Sequence, residues 1–272
     1  MSKSETRRGR TDWLSLVVVA GATAIASYTL TTAKYQSEQP LFGAPEIEPF
    51  ATRYGPAHDT QFGEEWLVRD FFQDKHGGVF VDVGANHYRV HSMTYYLETQ
   101  LGWSGVAIEA QKSFAAEWAV HRPRTKFFAM FASDTAGDAV KFYVPGTKHA
   151  LNASGRPDVA VVPTTETTVP STTITAALEE AGITAIDFLS MDIELYEPQA
   201  LAGFDIDRFR PALACIEAHP TVRQKIVDYF DAHGYVLVAK YLRADINNLY
   251  FKPAEGSSPG SQRDREPEAL AR

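Results

Sequence analysis

The sequence predicts an α/β domain built on a mostly parallel, doubly wound sheet, preceded by an N-terminal transmembrane or signal helix. Three observations predict this. Short apolar runs alternate with helical patterns, the order expected for strands joined by crossover helices. The run Gly78-Val79-Phe80-Val81-Asp82-Val83-Gly84-Ala85-Asn86 is almost continuously apolar, as in a central parallel strand covered on both faces. Five predicted strands end on polar groups: Asp82 and Gly84, Glu109, Ser133-Asp134, Asp192 to Glu194, and Glu217 to His219. In an open α/β sheet that edge is where ligands bind.

Residues 1–12 form a polar tail with Lys3, Arg7, Arg8 and Arg10, and residues 13–33 carry no charge. That length spans a bilayer as a helix, so a single-pass membrane anchor is expected. A cleaved signal peptide is the rival, because Ala24-Ile25-Ala26 has the small-x-small form of a cleavage site. Four prolines between residues 34 and 58 mark a linker. The folded domain is expected over residues 59–253. Within it, residues 61–73 read as an amphipathic helix with Trp66, Leu67, Phe71 and Phe72 inward and Glu64, Glu65, Arg69 and Asp70 outward.

After the first strand, residues 92–101 show helical apolar spacing, and Gly102 is a natural stop. Gly105-Val106-Ala107-Ile108-Glu109 is the second strand, residues 114–121 the next helix and residues 126–133 a third strand. Residues 146–172 are rich in Gly, Pro, Ser and Thr and read as a lid or insertion loop. A helix over 173–181 leads to the strand Ile186-Asp187-Phe188-Leu189-Ser190-Met191-Asp192. A fifth strand ends before His219, Pro220 opens another helix, and two short strands follow. Residues 254–272 have the composition of a disordered tail.

The net charge of −8 argues against a nucleic-acid-binding surface, which is normally basic. Cys215 is the single cysteine, so no intrachain disulfide can form, and its apolar surroundings make it a core residue.

The turn after the first strand carries the chemical signal. Gly84 lets the backbone bend and approach a ligand closely. A dinucleotide turn requires G-x-G-x-x-G, and Gly84-Ala85-Asn86-His87-Tyr88 has no second or third glycine, so a pyrophosphate is poorly provided for. Glu109 closes the neighbouring strand about 25 residues on, where such folds place the carboxylate that holds ribose hydroxyls. Together these suit a nucleoside without phosphates, such as S-adenosylmethionine.

Val81-Asp82-Val83-Gly84-Ala85-Asn86, Leu101-Gly102-Trp103-Ser104-Gly105-Val106-Ala107-Ile108-Glu109 and Ile186-Asp187-Phe188-Leu189-Ser190-Met191-Asp192-Ile193-Glu194 resemble the hallmark segments of the FkbM methyltransferase family. Gln61-Phe62-Gly63-Glu64-Glu65 is similar to the short motif that often precedes the first strand there. The likeness covers roughly residues 59–253. It implies a Rossmann-like methyltransferase fold and an S-adenosylmethionine-dependent enzyme of the EC 2.1.1 class. Methyl transfer would usually go to a hydroxyl of a small-molecule, sugar or lipid-linked acceptor.

By position, the resemblance puts Asp82, Gly84 and Asn86 on the methionine side of the cofactor and Glu109 on the ribose. Ser133 and Asp134 would lie near the adenine, and Asp192 and Glu194 would face the methyl and its acceptor. Transfer to oxygen needs a base; His219 is the first expectation and Asp192 the second, and no metal is expected. His87-Tyr88 stands where the family often has an acid and a glycine, and Leu195 replaces a glycine after the Glu. Those bulky residues favour the competing reading, a catalytically inactive binding or scaffold module at the membrane.

Overall fold

β1 (Val79–Val83) lies in the middle of a seven-stranded sheet, paired in parallel with β2 (Ser104–Ile108) on one side and β7 (Phe188–Met191) on the other. In this computed structural model the described residues are 46–55, 58–145 and 164–256. The expected membrane or signal helix at 13–33, the 1–12 tail, most of the insertion and all but the start of the C-terminal tail lie outside them. Among the described residues no helix is long and apolar enough to cross a membrane.

The strand order is β3-β2-β1-β7-β8-β10-β9, with β3 at Thr125–Phe128, β8 at Leu213–Glu217, β9 at Tyr235–Leu237 and β10 at Asn248–Pro253. The chain order reverses between β1 and β7, which makes that position the topological switch point of a Rossmann-like sheet. The sheet is parallel except for β10, which runs antiparallel to both β8 and β9. Alternation along β1 feeds two cores. Val81 and Val83 pack with α5 (Ile174–Glu180), α6 (Glu197–Ala202), α7 (Ile206–Phe209) and α8 (Arg223–Ala232). Phe80 faces the other way, against α2 (Glu64–Phe72) and α3 (Tyr95–Thr99). Helices therefore cover both faces, as the apolar character of the strands requires.

Several expected elements differ. The proline-bearing stretch before residue 59 contains α1 (Glu48–Tyr54), which packs on α2 and brings Phe50 to 5.8 Å from the Tyr241 ring. This second layer explains why the charged face of α2 does not face out: Glu64, Glu65, Arg69 and Asp70 are all buried. Each has a partner. Arg69 donates to Asp74 at 2.8 Å, Asp70 accepts from Tyr241 at 2.8 Å, Glu65 accepts from the Asp59 amide at 3.3 Å and Glu64 from the Phe62 amide at 2.7 Å.

The expected third strand splits. Its end, β4 (Phe131–Ala132), leaves the main sheet and pairs with β6 (Thr164–Thr172), which is antiparallel to β5 (Ala139–Pro145). The last nine residues of the expected loop at 146–172 are thus a strand. Loop-like composition concealed it: threonine is a good strand former, and Pro170 is the kind of residue that composition rules assign to turns. The remaining helix, α4 (Ala115–His121), follows a 3-10 turn at Lys112–Phe114.

Candidate functional site

Pleat parity decides which strand-end groups meet. Asp82 lies two residues beyond Phe80 and shares its face, and its register partners are Ala107 on β2 and Ser190 on β7. Two residues beyond those come Glu109 and Asp192, so the same face of the sheet carries Asp82 near the end of β1 and the other two acids just past the ends of β2 and β7. Cys215 pairs with Ser190, which extends the row to Glu217. A cleft opens at this edge with about 1090 Å³ of empty space, part of it open solvent.

Asp82, Gly84, Asn86, Glu109, Asp192 and Glu194 all line that cleft. Ser133 and Asp134 do not; Ser133 Oγ donates to Asp134 at 3.1 Å beside it. The apolar wall at that end comes instead from Met130, Phe131 and Ala132, one step earlier, and from Phe142 on β5. His219 also lies outside the lining. It is exposed, its Nδ1 is 2.9 Å from Thr221 Oγ1, and its carbonyl accepts the amides that open the turn into α8. Its position is that of a helix-entry residue.

The turn is shaped for close approach. Gly84 has φ +82°, and a Cβ there would stand 1.9 Å from the Asp192 carbonyl oxygen. Asn86 adopts φ +48°, a left-handed conformation that asparagine tolerates better than most residues. Its amide donates to Glu109 Oε2 at 2.9 Å, and the Gln111 amide donates to Oε1 at 2.6 Å. Both bonds leave lone pairs free on the carboxylate. Tyr88, the bulky departure at this turn, does not fill the cleft. Its ring stacks between His87 at 4.4 Å and His121 at 4.3 Å, over Trp118. Leu195, the other departure, has φ +80°, a strained conformation costing about 1–2 kcal/mol for an L residue.

Apart from His91 and Cys215, the ionisable groups that line the cleft are carboxylic acids. Glu64, Asp82, Glu109, Asp192 and Glu194 line the cleft, and among the described residues no Lys or Arg does. Burial pushes the Asp82 carboxyl up against the opposing pull of Thr94 and Arg122. Burial likewise raises Glu109, although its two backbone bonds oppose the shift. The Asp192 side chain is exposed where it lines the cleft, and desolvation by the surrounding protein leads the upward shift of its carboxyl. It is hydrogen-bonded to Glu217, which burial and the charges of Asp192, Glu194 and Glu197 push up to about 9. Two carboxyls can share such a bond only with a proton on one of them. Glu194 is raised to about 7, by burial first and then by Asp192 and Glu197. Among the described residues no group of three or more His, Cys, Asp or Glu side chains is placed to hold a metal ion.

The sequence assigned no role to Gln61, Glu64, Ser92, Met93 or Asn248, which also line the cleft. Glu64 sits in the segment before the first strand that the sequence had singled out, and strand parity alone would have paired Glu217 with Asp192.

Comparison with known proteins gives one strong match and several distant ones. A family model described as the methyltransferase FkbM domain matches residues 82–237. No curated protein matches the chain. Among solved structures, a precorrin-6y C5,15-methyltransferase from Geobacter metallireducens is 9% identical, with 71% of this chain and 87% of that one covered at a TM-score of 0.41. An S-adenosylmethionine-dependent O-methyltransferase from Thermotoga maritima is 9% identical, covering 75% and 70% at 0.40. An O-methyltransferase from Bacillus cereus is 12% identical, covering 84% and 96% at 0.40.

Proposed function

Since the chain belongs to the FkbM methyltransferase family and is an S-adenosylmethionine-dependent enzyme, we propose that it methylates a hydroxyl oxygen on a small-molecule, sugar or lipid-linked acceptor. The observation that carries this reading is the row of acids on one pleat face around the Gly84 turn.

The residues present fit the donor. Lining acids without Lys or Arg suit a sulfonium cation and disfavour phosphates. Glu109 would hold the ribose hydroxyls, and Met130, Phe131 and Phe142 would flank the adenine. Asp82 and Asn86 would hold the methionine end, where Gly84 leaves the backbone bare. The bound donor would supply an already activated methyl group, so the protein's part is placement and proton removal.

Asp192 would take the acceptor's proton. It lines the cleft, whereas the first expected base, His219, does not. Burial raises its carboxyl above the usual carboxylate range, the direction that makes it a better base. Glu217 would hold Asp192 in place through their shared proton, and Glu194 would complete the acceptor side. Tyr88 stacks outside the cleft, so the bulk that favoured an inactive module leaves the donor space open. Residues 13–33 are proposed as a single-pass anchor, which membrane fractionation tests: recovery of the intact chain in the soluble fraction would rule the anchor out, and a topology reporter fused after Pro253 reads the side on which the domain lies.

The experiment for the proposed reaction is methyl incorporation from tritium-labelled S-adenosylmethionine into extracts treated with the protein. Label released by mild base would mark a carboxyl ester instead and contradict transfer to a hydroxyl.

A further inference from the structure

Arg122 is a buried cation whose charge acts on the cleft acid Asp82. It caps the end of α4 with no side-chain exposure. Its Nε donates to Glu98 at 2.6 Å, and Nη1 donates to the Tyr88 carbonyl at 2.9 Å and to Ser92 at 3.3 Å. Nη2 donates to Thr94 Oγ1 at 2.8 Å, and Thr94 Oγ1 donates to Asp82 Oδ2 at 2.7 Å. Thr94 is itself fully buried.

The direction of this chain is fixed by chemistry. A guanidinium can only donate, and an ionised carboxylate can only accept. The single Thr94 hydroxyl proton must therefore point at Asp82 while its oxygen takes the arginine N–H. Glu98 neutralises Arg122 on its far side and is held by the Arg124 amide at 2.9 Å and by Thr125. The remaining groups facing Asp82 are Ser190 on β7, Asp192 just beyond it and Glu109 beyond β2. Both acids oppose its ionisation, so Arg122 acting through Thr94 is the one cationic counterweight among the described groups acting on Asp82.

From this chain of contacts we infer that Arg122 is a positioning residue for donor binding: through Thr94 it favours the ionised form of Asp82 and holds the carboxylate aimed into the cleft. By the Tyr88 and Ser92 bonds it also pins the segment that brings Ser92 and Met93 to the cleft wall. The inference rests on the proposed role of Asp82 at the methionine end of the donor.

Thr94→Val keeps the shape of the side chain and removes the relay. Carbon-13 NMR titration of the Asp82 carboxyl in the ligand-free protein should then show its midpoint moved upward. Thr94→Ser should restore it. Donor affinity by calorimetry at pH 7 should fall about 10- to 100-fold in Thr94→Val, the scale of a hydrogen bond to a charged group, and recover as pH rises. A merely structural role would lower affinity equally at every pH. An unchanged Asp82 midpoint in folded Thr94→Val would overturn the inference. In the wild type, the Thr94 hydroxyl proton should exchange slowly enough to be seen by NMR; fast exchange overturns it without any variant. If the wild type binds no donor but Asp82 titrates as described, the donor reading fails and the relay stands.

Discussion

Gly84→Ala tests the geometry on which the cleft depends. The φ of +82° costs an L residue about 1–2 kcal/mol. The new Cβ would also stand 1.9 Å from the Asp192 carbonyl oxygen and 2.9 Å from its carbon. Ordinary contact begins near 3.4 Å, so the ends of β1 and β7 must part by roughly 1.5 Å (3.4 less 1.9). The backbone bond from the Asp192 amide to the Val83 carbonyl, 3.0 Å long, lies in the path of that movement. Forced repacking of this kind costs about 1–3 kcal/mol, giving a total of about 2–5 kcal/mol out of a typical 5–15. Gly77→Ala is the control, with φ +72° and nothing within 4 Å of the added carbon, so it carries the conformational part alone. Urea denaturation of the two variants should separate them by about 1–3 kcal/mol. Donor affinity should fall at least about tenfold only in Gly84→Ala, since the Gly84 turn that receives the methionine end is displaced. Equal destabilisation of the two variants, or a Gly84→Ala protein that binds the donor normally, would refute the close-approach argument.

Three further outcomes follow from the site. Glu109→Gln loses one of the two oxygens that hold the Asn86 and Gln111 amides along with the charge; it should fold, with donor affinity reduced about 10- to 100-fold by calorimetry. Asp192→Asn should lower the methyl-transfer rate by about 10²- to 10⁴-fold with little change in donor affinity, while His219→Ala should leave the rate within about twofold. The third concerns pH. Glu64, Glu65, Glu194 and Glu197 are raised to about 7 and Glu217 to about 9, each by burial first. A carboxyl raised on folding makes the folded state bind more protons than the unfolded one. Its contribution is therefore most favourable below the unfolded value, near pH 4–5, and is lost as pH rises through 7 and towards 9. Asp70, lowered despite burial by its bonds to Lys240 and Tyr241, acts in the opposite sense. Thermal melts of the ligand-free protein should show a lower Tm at pH 8 than at pH 5.5; a flat or rising trend would contradict the shifts.

Much of this arrangement was legible because strands announce themselves locally. The apolar run at Val79 to Val83 fixed the central strand, and the acids past each strand end followed from two-residue alternation. What escaped the sequence depends on contacts between distant segments. The charges of Glu65, Arg69 and Asp70 read as a solvent face because helical period cannot foresee α1 or Tyr241 arriving as a second layer. Thr164–Thr172 read as loop because its partner, β5, lies across a long insertion. His219 looked like a base from its strand-end position, yet its ring turns to Thr221. The Asp192–Glu217 bond and the Arg122–Thr94–Asp82 chain join segments that no single motif contains.

Titration calorimetry of the full-length protein with S-adenosylmethionine tests the central claim most directly. Saturable one-to-one binding with a micromolar-range Kd, on the order of −8 kcal/mol, is expected, weakened in Asp82→Asn and Glu109→Gln. Absence of any heat at millimolar donor, from a protein shown to be folded, would contradict the assignment of the cleft.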